Sequence, residues 1–301
     1  MMPGFPPPYA AMNRFVAPAL PRAELWRTIC GLLLGLIFGF LAVQILTLAL
    51  IAALGPQVAQ SLGRALGNGA SSPLGVVLLL FLYLPITAGL ALSLRLLMRR
   101  GLVTLAGPPG DAARCFLWVA LPLTGLWVAL LPLSLLDSDV TANLTLAQQL
   151  PWLPYALTGL LIQTATEELI FRGYLQQHLA ARFRQRWVWM LVPSLLFGLA
   201  HYAPAQYGAL SGLVVVWTTL FGLAAADLTA RTGNLGAAVG LHFANNIAAV
   251  LLIGMSGNIG GLALFNVDVD TSGVSFDMIY LAVDGLTLLI GWLVARLILR
   301  V

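Results

Sequence analysis

The sequence predicts an all-α fold: a polytopic membrane helix bundle of about eight transmembrane helices with both termini in the cytosol. Three observations predict it. Of 301 residues, 60% are hydrophobic and only 9% are charged. The apolar residues gather in runs close to the 20 or so needed to cross a hydrocarbon core of about 30 Å. Arginines concentrate in alternate gaps between those runs. Soluble domains carry about 25% charged residues, and a globule of this size cannot hide so much apolar surface; the mean hydropathy of +0.93 agrees. The net charge of +4 is carried by arginine alone, with no lysine, and the arginines are spread along the chain. They read as topology signals and exclude a nucleic-acid patch.

Residues 1–25 open with prolines and glycine, carry Arg14 and Arg22, and lack the early apolar core of a cleaved signal peptide. They are expected to form a disordered cytosolic tail ahead of a single transmembrane domain, residues 26–301. The spans expected are 28–54, 73–97, 114–136, 151–180, 187–202, 208–229, 233–254 and 278–298. The uncharged stretch 187–226 is too long for one crossing, and HYAPAQYG, with Pro204 and Gly208, supplies the break. Pro85 is expected to kink the second span.

Arg14, Arg22 and Arg27 precede the first span; Arg95, Arg99, Arg100 and Arg114 lie around the second loop. Arg182, Arg184 and Arg186 follow the fourth span, Arg231 the sixth, and Arg300 the last. The opposite loops hold Asp137, Asp139, Asp268, Asp270 and Asp277, with Arg64 the exception. This is the positive-inside pattern of an even number of spans, and it suits a multi-pass protein of the plasma (inner) membrane. The loop 255–277 is expected to be mobile. Cys30 and Cys115 fall on the cytosolic side and read as small buried hydrophobes.

Ionisable residues inside a bilayer cost at least about 2.5–3.5 kcal/mol each at its centre. The fourth span nevertheless contains Glu167, Glu168 and Arg172, the fifth ends at His201, and the seventh contains His242, Asn245 and Asn246. At about 1.5 Å rise per residue, Glu167, His201 and Asn246 each lie roughly 22 Å from the cytosolic arginines of their helices, with His242 one turn closer. Three helices thus bring polar groups to one depth, which favours a functional site over isolated interhelical hydrogen bonds. Glu168 and Arg172 have i,i+4 spacing for an ion pair, leaving Glu167 rotated about 100° away. A buried carboxylate suits a general base, with His201 helping to hold a water. His242 and Asn246, also four apart, could donate to one oxyanion. His178 is expected to meet interfacial water, and Asp227 to pair with Arg231. Asp284 has no evident partner in the sequence.

At these residues the chain resembles the CAAX protease and bacteriocin-processing family, also called Abi, which includes the type II CAAX prenyl endopeptidases. The resemblance rests on Glu167-Glu168-Leu169-Ile170-Phe171-Arg172, on Phe197-Gly198-Leu199-Ala200-His201 and on His242-Phe243-Ala244-Asn245-Asn246, in order on separate spans within 151–255. It implies hydrolysis of a peptide bond near the membrane, in a membrane-associated or C-terminal peptide substrate. Glu167 and His201 would activate water, His242 and Asn246 would form the oxyanion hole, and Glu168 and Arg172 would orient the site or bind substrate. Family spacing selects Asn246 over Asn245. The family is customarily labelled metalloprotease, so Glu167, His201 and His242 are the ligand set if zinc is bound. HExxH is absent, and glutamate with histidine can activate water unaided; the metal-free route, requiring no cofactor, is preferred, with zinc as the alternative. Two other functions are weighed: a catalytically silent scaffold or bacteriocin-immunity protein, and a transporter, against which stands the lack of an internal repeat.

Overall fold

A computed structural model describes residues 5–55, 71–256, 259–267 and 278–301, with positions 57, 60, 61, 63 and 64 between the first two segments. Eight principal helices stand out among the described residues. They are α1 (Leu25–Leu54), α2 (Pro73–Met98), α3 (Pro109–Ser134), α4 (153–182), α5 (Arg186–Ala200), α6 (Ser211–Thr232), α7 (Gly236–Leu252) and α8 (Met278–Leu299). Four helical stretches are long and apolar enough to cross a membrane: Leu25–Ala53, Pro73–Met98, Pro109–Ser134 and Pro204–Thr232. α5 and α7 are apolar but shorter. The outer faces of α1, α3 and α6 carry Phe40 and Ile45, Leu121, and Val216, all largely exposed, as a lipid-facing surface requires. The chain is an all-α membrane bundle.

α4 is different. Every side chain from Arg172 to Ala180 is buried, including Gln176, Gln177 and His178. Beyond Arg172, each polar one reaches across to another element. Gln176 donates to the Ala226 carbonyl at 3.0 Å, Gln177 to that of Phe15 at 2.7 Å, and the Tyr174 hydroxyl to that of Thr28 at 3.0 Å. Buried donors find partners in this way because leaving them unpaired costs about 1–3 kcal/mol each. α4 is therefore the central post, and the long apolar helices wrap it.

α1 and α2 pack closely because glycines face each other. A Cβ on Gly89 would collide with the Gly35 carbonyl and come within 2.9 Å of Gly39 Cα. Small residues let helix backbones approach where lipid tails offer no hydrophobic drive for association. Within α2, regular α-helix runs over Pro73–Phe81 and resumes at Tyr83–Ser93. Pro85 lacks the N–H that would bond the Phe81 carbonyl, and its ring crowds that group, so the interruption falls at Leu82.

Three expectations are corrected. Residues 5–22 are ordered: they form short helical turns, and Tyr9, Met12, Phe15 and Val16 are buried against Leu179, Trp189, Ala230 and Leu235. Proline content suggested disorder, but the interleaved aromatic and aliphatic side chains bury enough apolar surface to hold the segment down. His178 is buried rather than interfacial: its Nδ1 lies 2.8 Å from the Tyr174 carbonyl and its Nε2 3.3 Å from an Arg100 nitrogen. Cys30 is exposed on α1, while Cys115 is half-buried.

The described part of the 255–277 loop is also structured. Ile253–Met255 (β2) and Phe265–Val267 (β3) join Val140–Ala142 (β1) in a small sheet of order β1-β3-β2. β1 runs antiparallel to β3 (Val140 opposite Val267), and β2 runs parallel to it (Ile253 opposite Phe265). Gln149 donates to the Leu251 and Leu262 carbonyls at 2.7 and 2.8 Å, tying the sheet to the start of α4. Asp268, Asp270 and Asp277 lie outside the described residues.

Asp227 pairs with Arg231 as its spacing predicts, at 2.8 Å, and does more. Its carboxylate also accepts from the Tyr9 hydroxyl at 2.8 Å and the Trp292 indole at 3.0 Å. Burial, then the hydrogen bond to this carboxylate, raises the Tyr9 pKa, so the hydroxyl stays a donor. One acid thus joins the N-terminal segment, α6 and α8.

Candidate active site

The site grows from a change of winding in α4. Regular α-helix runs to Glu168, and Leu169–Gln176 is wound as a π-helix. Such segments recur at functional sites because the wider turn redirects side chains. Arg172 remains in reach of Glu168: its Nη1 lies 3.0 Å from Glu168 Oε1, and both side chains are fully buried. The guanidinium also stacks on Phe197 of α5, 4.6 Å from the ring centroid. Its Nε and Nη2 have no hydrogen-bond partner among the described residues.

His242 of α7 closes the group. Its Nδ1 lies 2.8 Å from Glu168 Oε1, and its Nε2 lies 3.7 Å from Glu167 Oε2. Glu168 is therefore a bridge that accepts from both Arg172 and His242. Glu167 does not face elsewhere, as helix rotation alone suggests. One imidazole is broad enough to span the angle between adjacent carboxylates, meeting each with a different nitrogen.

Asn246, one turn beyond His242, donates to Gln163 Oε1 at 2.8 Å, leaving its second amide hydrogen unassigned. Asn245 contacts Asn246 at 3.5 Å. His201, half-buried at the end of α5, sits with Nδ1 2.8 Å from the Phe197 carbonyl, so Nδ1–H donates and Nε2 carries the free lone pair. It joins the group through Phe197, whose ring centroid lies 4.6 Å from that of His201 and 5.8 Å from that of His242. Gly198 lets α5 come this close to α6: a Cβ there would strike the Thr219 hydroxyl and stand 2.7 Å from the Val215 carbonyl.

Sequence reasoning missed two residues. Gln163, one turn before Glu167, holds Asn246, and Tyr83 of α2 places its hydroxyl against both Glu167 and Gln163. A chain of polar contacts thus runs from Asn246 through Gln163 and Tyr83 to Glu167. The i,i+4 spacing of Gln163 and Glu167 was a legible signal. Tyr83 had none, because it lies 84 positions from Glu167 on another helix. Tyr83→Phe removes the hydroxyl but keeps the ring, and is expected to lower turnover about 10–10²-fold, a polar contact to a charged group being worth about 1.5–3 kcal/mol. Kinetics of the purified variant check this; an unchanged rate would confine Tyr83 to packing.

The zinc alternative is not supported by the donor set. Among the described residues no three His, Cys, Asp or Glu side chains form a group able to hold a metal ion. Glu167 and His242 meet, but His242 Nδ1 is engaged by Glu168, and His201 reaches the pair only through an aromatic ring.

Fold and site together define a helical membrane protein with an ionisable cluster buried where α4, α5 and α7 meet. Residues 149–248 match the family model described as type II CAAX prenyl endopeptidase Rce1-like, so the chain carries an Rce1-like domain, and the family points to a CAAX-type protease. Glu167, Glu168, Arg172, His201, His242 and Asn246 all fall within it; Tyr83 does not. A curated relative, the uncharacterized protein YyaK of Bacillus subtilis, is 26% identical over 266 residues, covering 85% of this chain and 88% of its own. No solved structure matches.

Proposed function

We propose that this chain is an intramembrane endopeptidase that hydrolyses a peptide bond near the membrane with water activated by Glu167 and His201. The observation that carries the reading is the buried junction of Glu167, Glu168, Arg172 and His242 inside an Rce1-like domain. Glu167 takes a proton from water while His201 Nε2 orients it, and the oxygen attacks the scissile carbonyl. The oxyanion accepts hydrogen bonds from Asn246 Nδ2 and His242 Nε2. Donation from Nε2 while Nδ1–H is held by Glu168 requires the doubly protonated ring. In that form two carboxylates balance Arg172 and His242. As the tetrahedral intermediate collapses, the proton held by Glu167 passes to the departing amine. Glu168 and Arg172 act through His242, fixing its ring. The substrate is a membrane-associated or C-terminal peptide.

Comparing protein termini in membranes carrying the wild type or Glu167→Ala tests the reading. New termini that depend on Glu167 support it, whereas identical terminal maps favour a silent scaffold. Asn246→Ala is expected to lower kcat about 10²–10³-fold, the cost of one oxyanion donor, with a smaller change in KM. A proportional rise in KM at constant kcat would assign Asn246 to substrate binding.

The proposed setting is the plasma membrane, with eight crossings and cytosolic termini, supported by the arginine distribution. α4, α5, α7 and α8 complete the crossings alongside the longer helices. A cysteine introduced beside Arg184 should resist an impermeant thiol reagent added outside intact cells. Labelling there would invert the orientation.

A further inference from the structure

A second polar site lies at the other end of α4, ten residues or roughly 15 Å from Glu168. It is a cavity of about 220 Å³, several times the ~30 Å³ share of one water molecule, walled by Pro18 and Pro21 and lined by Arg22, Arg99, Arg100 and His178. No carboxylate lines it. Arg22 is anchored by one donor, with Nη1 2.8 Å from the Leu97 carbonyl. Arg99 closes α2 in the left-handed conformation, φ 53°, which is unfavourable for a side chain of its size and sends the chain directly into Arg100.

Arg100 is the telling residue. One guanidinium nitrogen meets His178 Nε2 at 3.3 Å; because His178 Nδ1–H donates to the Tyr174 carbonyl, Nε2 accepts without supplying charge. Nε and Nη1 are shielded from solvent and have no partner among the described residues. Burial lowers the pKa of Arg100 to about 10, which leaves it charged at neutral pH. Three guanidinium groups without an acid among them call for an anion with several oxygens, and planar guanidinium forks suit phosphate. Position narrows the source. Arg22 precedes the apolar helix that begins at Leu25, and Arg99 and Arg100 follow the one that ends at Met98. Both edges lie at headgroup level if those helices span the bilayer.

We propose that this cavity is a phosphate-binding site occupied by the headgroup of an anionic phospholipid. Native mass spectrometry of the detergent-purified chain with phosphatidylglycerol or phosphatidylcholine tests it, with inorganic phosphate as competitor. The wild type should retain phosphatidylglycerol at least about tenfold better, and millimolar phosphate should displace it. Arg22→Gln/Arg100→Gln should lose that preference. Arg99→Gln, on the exposed rim and harmless to the core, should reduce it severalfold by itself, while Arg14→Gln, whose partner is Asp111, should not. Phosphate binding without lipid preference would overturn the headgroup assignment and leave a site for the free ion. Equal retention of both lipids with no phosphate binding, or a preference unchanged in every cavity variant, would overturn the site itself.

Discussion

Glu167→Gln is expected to lower turnover by about 10²–10⁴-fold or more while leaving the folded protein intact. The amide keeps the shape of the side chain but takes no proton from water, and general-base catalysis alone contributes on that order. Because Glu167 shares neither the Arg172 nor the close His242 bond with Glu168, its charge is less tightly integrated than that of its neighbour. The thermal midpoint should therefore move little. His201→Ala should give a comparable kinetic loss if it orients the water. Purified-enzyme kinetics alongside thermal unfolding separate chemistry from folding. Wild-type cleavage by Glu167→Gln would dismantle the whole assignment. Activity abolished by a strong chelator and restored by zinc would reopen the metal route despite the donor geometry.

Arg172→Ala should have the largest effect on stability, about 3–5 kcal/mol, because it removes the guanidinium from the Glu168 carboxylate in a dry interior and leaves His242 as that carboxylate's remaining partner. The stack on Phe197 disappears as well, loosening the ring between His201 and His242. A second substitution distinguishes charge from shape. Glu168→Gln/Arg172→Met removes both charges at similar volume and should recover much of the stability, but not the activity, since His242 loses its carboxylate partner. Chemical denaturation in mixed micelles measures the stability change. A single variant as stable and active as the wild type would mean that the ion pair is dispensable.

The helices were legible because apolar runs of bilayer length are a strong signal, and the 153–182 stretch follows closely the expected 151–180. The i,i+4 spacings of Glu168 with Arg172 and of Asp227 with Arg231 were equally readable, since helix geometry fixes such neighbours locally. Contacts between distant segments were not. Nothing near Tyr83 marks it as facing Glu167. The π-helical winding after Glu168 has no distinctive composition, and Gln176 and Gln177 look like ordinary surface residues until their carbonyl partners are seen. The docked N-terminus escaped detection for a related reason. Its prolines signalled disorder, whereas the compensating burial of Tyr9 and Phe15 depends on residues more than 150 positions away.

That docking carries a consequence in time. Tyr9 and Asp227 are separated by 218 positions. At about 5–20 residues per second, the ribosome needs roughly 10–45 s between making the phenol and making its acceptor. For most of that interval Phe15 and its apolar neighbours have no Trp189 to lie against, Leu235 follows only after it, and the segment is open to chaperones, proteases and competing contacts. Its settling onto α6 thus becomes a late event in biogenesis, one that reports that the following helices have already been laid down in order.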